Sequence, residues 1–179
     1  LPARRGERRT AAGLATIGFR LGADIPFLTT DVPLAIAWGR GERMLALNSL
    51  PAREVLLCLP PFGVETAAAF QWIAEQRREE PLRAPAPLRH QDLDRWDGIT
   101  RIAENDFETP VIHRHPGIAA CIAALSAAGA RIARMSGSGS TVFGVFDRRP
   151  PAELPGLPEG TRLVASRTLT SVAQVRPLD

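Results

Sequence analysis

A chain of 179 residues with 45% hydrophobic and 23% charged side chains is long enough to bury a core, which excludes a wholly disordered chain, a collagen and a coiled coil. Its formal net charge of +3 is too small to indicate a nucleic-acid-binding protein. No apolar run is long enough to span a membrane, and the sequence does not start like a signal peptide, so we expect a cytoplasmic protein that does not bind membranes.

The first fifty residues predict a helix followed by a hairpin. The helix is predicted over Thr10–Leu21, where apolar residues recur at helical spacing, and Pro26 limits its extension. Two short apolar runs, Ala35–Trp38 and Met44–Leu47, flank Gly39-Arg40-Gly41 and predict two strands joined by a glycine-bearing turn.

The rest of the chain predicts strands and helices separated by proline-rich loops. The predicted strands are Val55–Leu59, Arg131–Met135, Thr141–Phe146 and Thr161–Leu169. The predicted helices are Thr66–Arg78, Asn105–His113 and Pro116–Ala128, and the predicted loops are Glu80–His90 and Arg148–Gly160. Because regular crossover helices do not join these strands, the order indicates an α+β fold. The start of a new strand after the hairpin predicts one domain over residues 1–52 and another over 53–179.

The segment Ser136–Ser140, which reads Ser-Gly-Ser-Gly-Ser, is the sharpest local motif. Alternating glycines allow successive backbone N–H groups to point at one phosphate, and the serine hydroxyls add donors. A tight turn between two strands explains the same residues equally well. No Gly-Lys-Ser/Thr follows, so the segment is not a Walker loop.

Asp24 lies between Gly22 and Pro26 among apolar neighbours. Partial burial there would hold its rotamer and tune its proton affinity, as a general base requires. The commoner alternative is an aspartate that hydrogen-bonds the backbone of its own turn.

The remaining polar and sulfur-containing residues do not predict a metal site. His113 and His115 are two residues apart and face different directions on a helix, and no cysteine or carboxylate completes a ligand set. Asn105 and Glu108 have the spacing of a capping box, which we favour over a metal site. Cys58 and Cys121 lie in apolar runs and are interpreted as buried thiols.

Four blocks of the sequence together resemble one enzyme family. They are Leu21–Phe27 with Gly39–Glu42, Pro60–Ala67, Asn105–Glu108 and Ala133–Gly144. In this order they are similar to the 4-diphosphocytidyl-2-C-methyl-D-erythritol kinases, a family of the GHMP kinases. One such block is weak, whereas four in order, spread over most of the chain, are specific.

The resemblance implies a two-domain α+β fold, with residues 1–52 forming the end of the N-terminal domain and residues 53–179 a ferredoxin-like C-terminal domain. It also implies phosphorylation of a substrate hydroxyl by ATP with Mg²⁺, a step of non-mevalonate isoprenoid synthesis. The partners would be small molecules, with no nucleic acid and no membrane, and the oligomeric state stays open.

The resemblance assigns roles to individual residues. Asp24 matches the catalytic aspartate that accepts or orients the proton of the substrate hydroxyl. Thr66 and Phe70 lie one helical turn apart and match substrate-binding positions, where Phe70 would stack on cytosine; core packing is an equal alternative for this ring. Gly137, Ser138 and Gly139 match a loop close to the phosphates. No metal ligand is carried over.

Three departures from the family bear on these expectations. The family's Gly-Ser-rich phosphate loop and its lysine-bearing strand are absent, and the sequence contains no lysine. Both lie N-terminal to the Asp24 block, so the resemblance implies the C-terminal part of a kinase whose ATP and Mg²⁺ sites are mainly elsewhere. Thr29–Pro33 also replaces a glycine-rich stretch. The alternatives are another GHMP kinase, such as a homoserine or mevalonate kinase, and a non-catalytic ligand-binding or dimerisation domain.

Overall fold

The computed structural model describes residues 11–79 and 87–172, so Thr10 of the first predicted helix and residues 80–86 of the predicted loop at Glu80–His90 lie outside the described residues. The chain divides into two compact units. One comprises the chain up to Pro51 together with the segment from Leu169 onward, and the other comprises Ala52–Thr168. None of the helices in the described ranges is long and apolar enough to cross a membrane.

The first unit contains two helices and one hairpin. Helix α1 spans Ala11–Leu21 and packs against the short helix α2, Ile25–Leu28. Strands β1, Ala35–Trp38, and β2, Arg43–Ala46, pair antiparallel with Ala35 opposite Ala46. The predicted helix and hairpin are therefore confirmed, whereas α2 was not predicted because Pro26 was taken only as a helix breaker. Proline is well tolerated in the first turn of a helix, where its missing N–H has no partner to lose.

The second unit contains four strands and four α-helices within the described ranges. The strands are β3, Glu54–Leu59; β4, Ile132–Met135; β5, Val142–Phe146; and β6, Arg162–Arg167. The helices are α3, Thr66–Glu79; α4, Trp96–Ile102; α5, Glu108–Arg114; and α6, Gly117–Ala127, with a short 3₁₀ helix at His90–Asp92. Helix α4 was not predicted, and α5 begins three residues later than expected.

The four strands form one antiparallel sheet in the order β4-β5-β3-β6. Strand β5 thus lies between β3 and β4, and the chain between those two strands contains α3 to α6. This interleaving is the split arrangement of ferredoxin-like folds. The second connection, residues 147–161, crosses from β5 past β3 to β6 with neither helix nor strand, because prolines and glycines interrupt it. The predicted α+β fold is confirmed.

One face of this sheet packs against helix α6 and forms the core. The fully buried side chains come from both layers: Cys58 and Val142 from strands, and Ile118, Cys121 and Leu125 from α6. Burial of such apolar surface is the main stabilising contribution to a domain of this size. Both cysteines are free, buried thiols, as predicted, and they belong to the same core cluster, one in strand β3 and one in helix α6.

Candidate active site

Asp24 lies at the N-cap position of α2 with backbone angles φ −86° and ψ −18°. Its side chain makes no capping hydrogen bond and is exposed. The predicted partial burial is therefore wrong, and so is the alternative in which the carboxylate satisfies its own turn. The exposed carboxylate is available to a ligand, as the role of a general base requires, although without the predicted partial burial.

The turn between β1 and β2 packs directly against the Asp24 segment. Gly41 has φ +91°, and a Cβ built on it would overlap the carbonyl oxygen of Ala23. Only glycine fits this approach, because any side chain would overlap the backbone there. The hairpin turn thus lies against the backbone of Ala23, the residue next to Asp24.

In the second unit, the structure joins two of the predicted site residues by a hydrogen bond. The hydroxyl oxygens of Thr66 and Ser138 lie 3.0 Å apart, and either can donate. Thr66 begins helix α3, and Ser138 is at the centre of the loop between β4 and β5. Residues 72 positions apart in the sequence therefore form one polar surface.

The Ser136–Ser140 loop is a hydrogen-bonded turn. The amide of Ser136 donates to Thr141 O at 2.8 Å, and the amide of Gly139 donates to Ser136 O at 3.0 Å. Gly139 has φ +96°, and a Cβ there would lie 2.8 Å from the sulfur of Met135, so glycine is required. Because the turn uses the amide of Gly139, the open nest of N–H groups predicted from the sequence is at most partly available to a phosphate.

Phe70 is on the exposed side of α3, with 59% of its surface accessible. Its ring meets the ring of Phe107 edge to face, with centroids 5.0 Å apart and planes at 86°. The exposure contradicts the core-packing alternative. Stacking of Phe70 on a base stays a prediction, and Phe107, whose ring supports it from one side, was not predicted as part of this surface.

The predicted capping box at Asn105 and Glu108 does not form. The N-cap of α5 is Phe107, and Glu108 Oε1 instead accepts a hydrogen bond from the amide of Met135 at 2.7 Å. The side-chain amide of Asn105 donates hydrogen bonds to the carbonyl oxygens of Met135 and Gly137. The sequence spacing suggested a local cap, but three of the hydrogen bonds made by these two side chains reach residues about 30 positions away, which a local motif does not indicate.

His113 and His115 lie on different surfaces of the second unit. His115 stacks on Phe62, with ring centroids 5.1 Å apart. His113 instead lines an open groove of about 350 Å³ between α3 and α5, together with Trp72 and Arg114. Among the residues that the structure describes, no group of three His, Cys, Asp or Glu side chains could hold a metal ion.

Comparisons with known proteins agree with the sequence blocks. Residues 88–154 match the family described as GHMP kinases C terminal. The chain is 42% identical over 126 residues to the 4-diphosphocytidyl-2-C-methyl-D-erythritol kinase of Paracoccus denitrificans (strain Pd 1222), covering 70% of this chain and 45% of that protein. It is 33% identical over 186 residues to the protein of the same name from Anaeromyxobacter dehalogenans (strain 2CP-C), covering 98% and 58%.

A solved structure is similar as well. The crystal structure of 4-(cytidine 5'-diphospho)-2C-methyl-D-erythritol kinase aligns with a TM-score of 0.57 and 28% identity, covering 75% of this chain and 48% of that one. The chain thus spans about half the length of the relatives that it matches.

Proposed function

We propose that this chain is part of an enzyme that phosphorylates a hydroxyl of 4-diphosphocytidyl-2-C-methyl-D-erythritol with ATP. The premise is that residues 88–154 belong to the family of GHMP kinase C-terminal domains. The observation that carries the proposal is the hydrogen bond between Thr66 and Ser138. Thr66 lies one helical turn before Phe70, whose ring is exposed. The relatives described above bear the name of this kinase.

The surface around Phe70 suits a planar base. An exposed aromatic ring offers a stacking face that every nucleobase can use, and such contacts contribute about 1–3 kcal/mol per base. The edge-to-face contact with Phe107 holds the ring in one orientation and leaves its outer face open. One hydroxyl hydrogen of the Thr66–Ser138 pair is used in their mutual hydrogen bond, and the other is left to donate to a phosphate oxygen near that ring.

Asp24 is the candidate general base. Its exposed carboxylate, free of a capping bond, accepts the proton of the substrate hydroxyl as that oxygen attacks the γ-phosphorus of ATP. The new oxygen–phosphorus bond forms while the bond from the γ-phosphorus to the bridging oxygen of the departing ADP breaks. The proton remains on Asp24 until solvent removes it.

ATP and Mg²⁺ are the cofactors of this proposal. The metal ion neutralises charge on the transferring phosphoryl group when bound. The sites for ATP and Mg²⁺ are assigned mainly to the N-terminal part of the kinase, where the family's phosphate loop lies. We place the enzyme and its small-molecule substrates in the cytoplasm.

The test is transfer of labelled phosphate from ATP to the diphosphocytidyl substrate, with homoserine and mevalonate as competing acceptors. The protein used carries this chain behind a lysine-bearing strand and a Gly-Ser phosphate loop, either encoded upstream of Leu1 or supplied by fusion to that segment of a relative. We expect transfer to the diphosphocytidyl substrate alone. Transfer to homoserine or mevalonate would favour another GHMP kinase, and binding without any transfer would favour a non-catalytic domain.

A further inference from the structure

Asn105 lies just before α5, and its side-chain amide joins three backbone groups. The Nδ2 group donates to Met135 O and to Gly137 O, each at 2.8 Å. The Oδ1 atom accepts a hydrogen bond from the amide of Phe107 at 2.9 Å. Two carbonyls face one side of the amide and an N–H faces the other, so only one orientation of the side chain satisfies all three bonds.

These three bonds reach both sides of the candidate site. Met135 and Gly137 flank the first residue of the loop that carries Ser138. Phe107 is the residue whose ring supports Phe70. Glu108 adds a second connection by accepting the amide of Met135. The side chain of Asn105 therefore connects the loop to the aromatic pair without lying on the exposed ring face.

A purely local role does not explain this geometry. The bond from Phe107 to Oδ1 spans two residues and shapes the start of the helix. The two donated bonds instead reach 30 and 32 residues along the chain, to carbonyls that a helix start does not require. Serine or aspartate would accept the hydrogen bond from the Phe107 amide equally well. Only an amide side chain as short as that of asparagine would also donate the two hydrogen bonds to Met135 O and Gly137 O.

We propose that Asn105 is a positioning residue that sets the spacing between the Ser136–Ser140 loop and the Phe70–Phe107 pair. A ligand that carries both a base and a diphosphate then contacts both surfaces at once. This role rests on the proposed function, because it assigns the base to the aromatic pair and the phosphates to the loop. Asn105 acts through the loop and through Phe107 and does not touch the ligand.

The test compares Asn105→Asp with Asn48→Asp in the full 179-residue chain. Asn48 is exposed and is the other asparagine of the sequence, so both variants make the same change in charge. At position 105, one aspartate oxygen still accepts the hydrogen bond from the Phe107 amide. The other oxygen replaces the donating Nδ2 group and faces the carbonyl oxygens of Met135 and Gly137, which cannot donate to it. We expect the amides of Ser136 and Gly139 to exchange with solvent about tenfold faster or more in Asn105→Asp, from the loss of two hydrogen bonds, and to be unchanged in Asn48→Asp.

The second measurement is the dissociation constant for cytidine and for cytidine diphosphate. The parent chain should bind the diphosphate more tightly, and Asn105→Asp should reduce that advantage about tenfold while its affinity for cytidine stays within about threefold. Asn105→Ser, which keeps the acceptor and adds no charge, should show the same loss if Asn105→Asp does not fold.

Three results would overturn the role. Unchanged amide exchange in the loop would show that Asn105 does not hold it. Equal weakening of both ligands, together with a lower melting temperature, would show an ordinary structural residue. An unchanged ratio of the two affinities in a chain that binds both would overturn this role alone, whereas a parent chain that binds neither ligand would overturn the proposed function and this role with it.

Discussion

Replacing Phe70 by alanine separates a stacking ring from a core residue. Phe70 is 59% exposed, so about two fifths of its surface of about 150–250 Å² is buried in the folded protein. The Phe70→Ala substitution removes this buried contact. At about 25 cal/mol per Å², loss of this buried area lowers the free energy of unfolding by at most about 1.5–2.5 kcal/mol. Loss of base stacking should cost about 1–3 kcal/mol of binding free energy, which is a dissociation constant about fivefold to 150-fold weaker.

The assay is calorimetric titration with cytidine diphosphate, accompanied by thermal unfolding of the same samples. Phe70→Tyr is the matched control, since it keeps the ring and should bind within about threefold of the parent. In the kinase containing this chain, the Michaelis constant for ATP should stay nearly constant. Thermal stability that collapses in Phe70→Ala, with ATP and the cytidylyl substrate affected alike, would refute the reasoning.

Three further predictions concern the general base, the buried thiols and the isolated chain. In the kinase containing this chain, Asp24→Asn should lower turnover about 10²- to 10⁴-fold with little change in substrate binding, because shape is kept and the base is lost; turnover within a few-fold of the parent would remove Asp24 from the mechanism. The neighbouring Cys121 thiol and burial raise the pKa of the Cys58 thiol, so above about pH 8.5 the unfolded chain loses a proton that the folded chain keeps. The free energy of unfolding should therefore fall by up to about 1.4 kcal/mol per pH unit there, measured by urea unfolding under reducing conditions; no lysine or tyrosine titrates in this range, and the double variant Cys58→Ala/Cys121→Ala, which removes both interacting thiols, should flatten the dependence. The 179-residue chain alone should transfer no phosphate from ATP, because it has neither a lysine nor the family's Gly-Ser-rich phosphate loop to stabilise the transferring group, and measurable transfer would contradict the role given to those two elements.

Strands were predicted closely because their sequence signals are continuous. Val55–Leu59 is an unbroken apolar run, and the strand found there, β3, is central in the sheet. Helix α4 was missed because Trp96–Ile102 includes Gly98 and follows charged residues, which weakens a periodic apolar pattern. Its place depends on tertiary contacts, such as the close approach of Gly98 to the backbone of Asp92.

The residues of the candidate site were proposed one by one from the sequence, but their arrangement was not. Thr66, Phe70 and Ser138 were identified through motifs, while the bond between two of them depends on how α3 meets the β4–β5 loop. The local spacing of Asn105 and Glu108 suggested a helix cap, yet both side chains bond the chain near Met135. A short motif cannot distinguish a local partner from one thirty residues away, because the same donor and acceptor groups satisfy either.

The most direct test of the central claim is a titration of the chain with cytidine diphosphate, followed by NMR of selectively labelled phenylalanine. The seven phenylalanines of the sequence make assignment by substitution practical. We predict that the ring signals of Phe70 and Phe107 shift and saturate, and that inorganic pyrophosphate, which carries no base, leaves them unchanged at the same concentrations. Ring signals that ignore cytidine diphosphate, or that respond equally to pyrophosphate, would contradict a base-binding site on this surface.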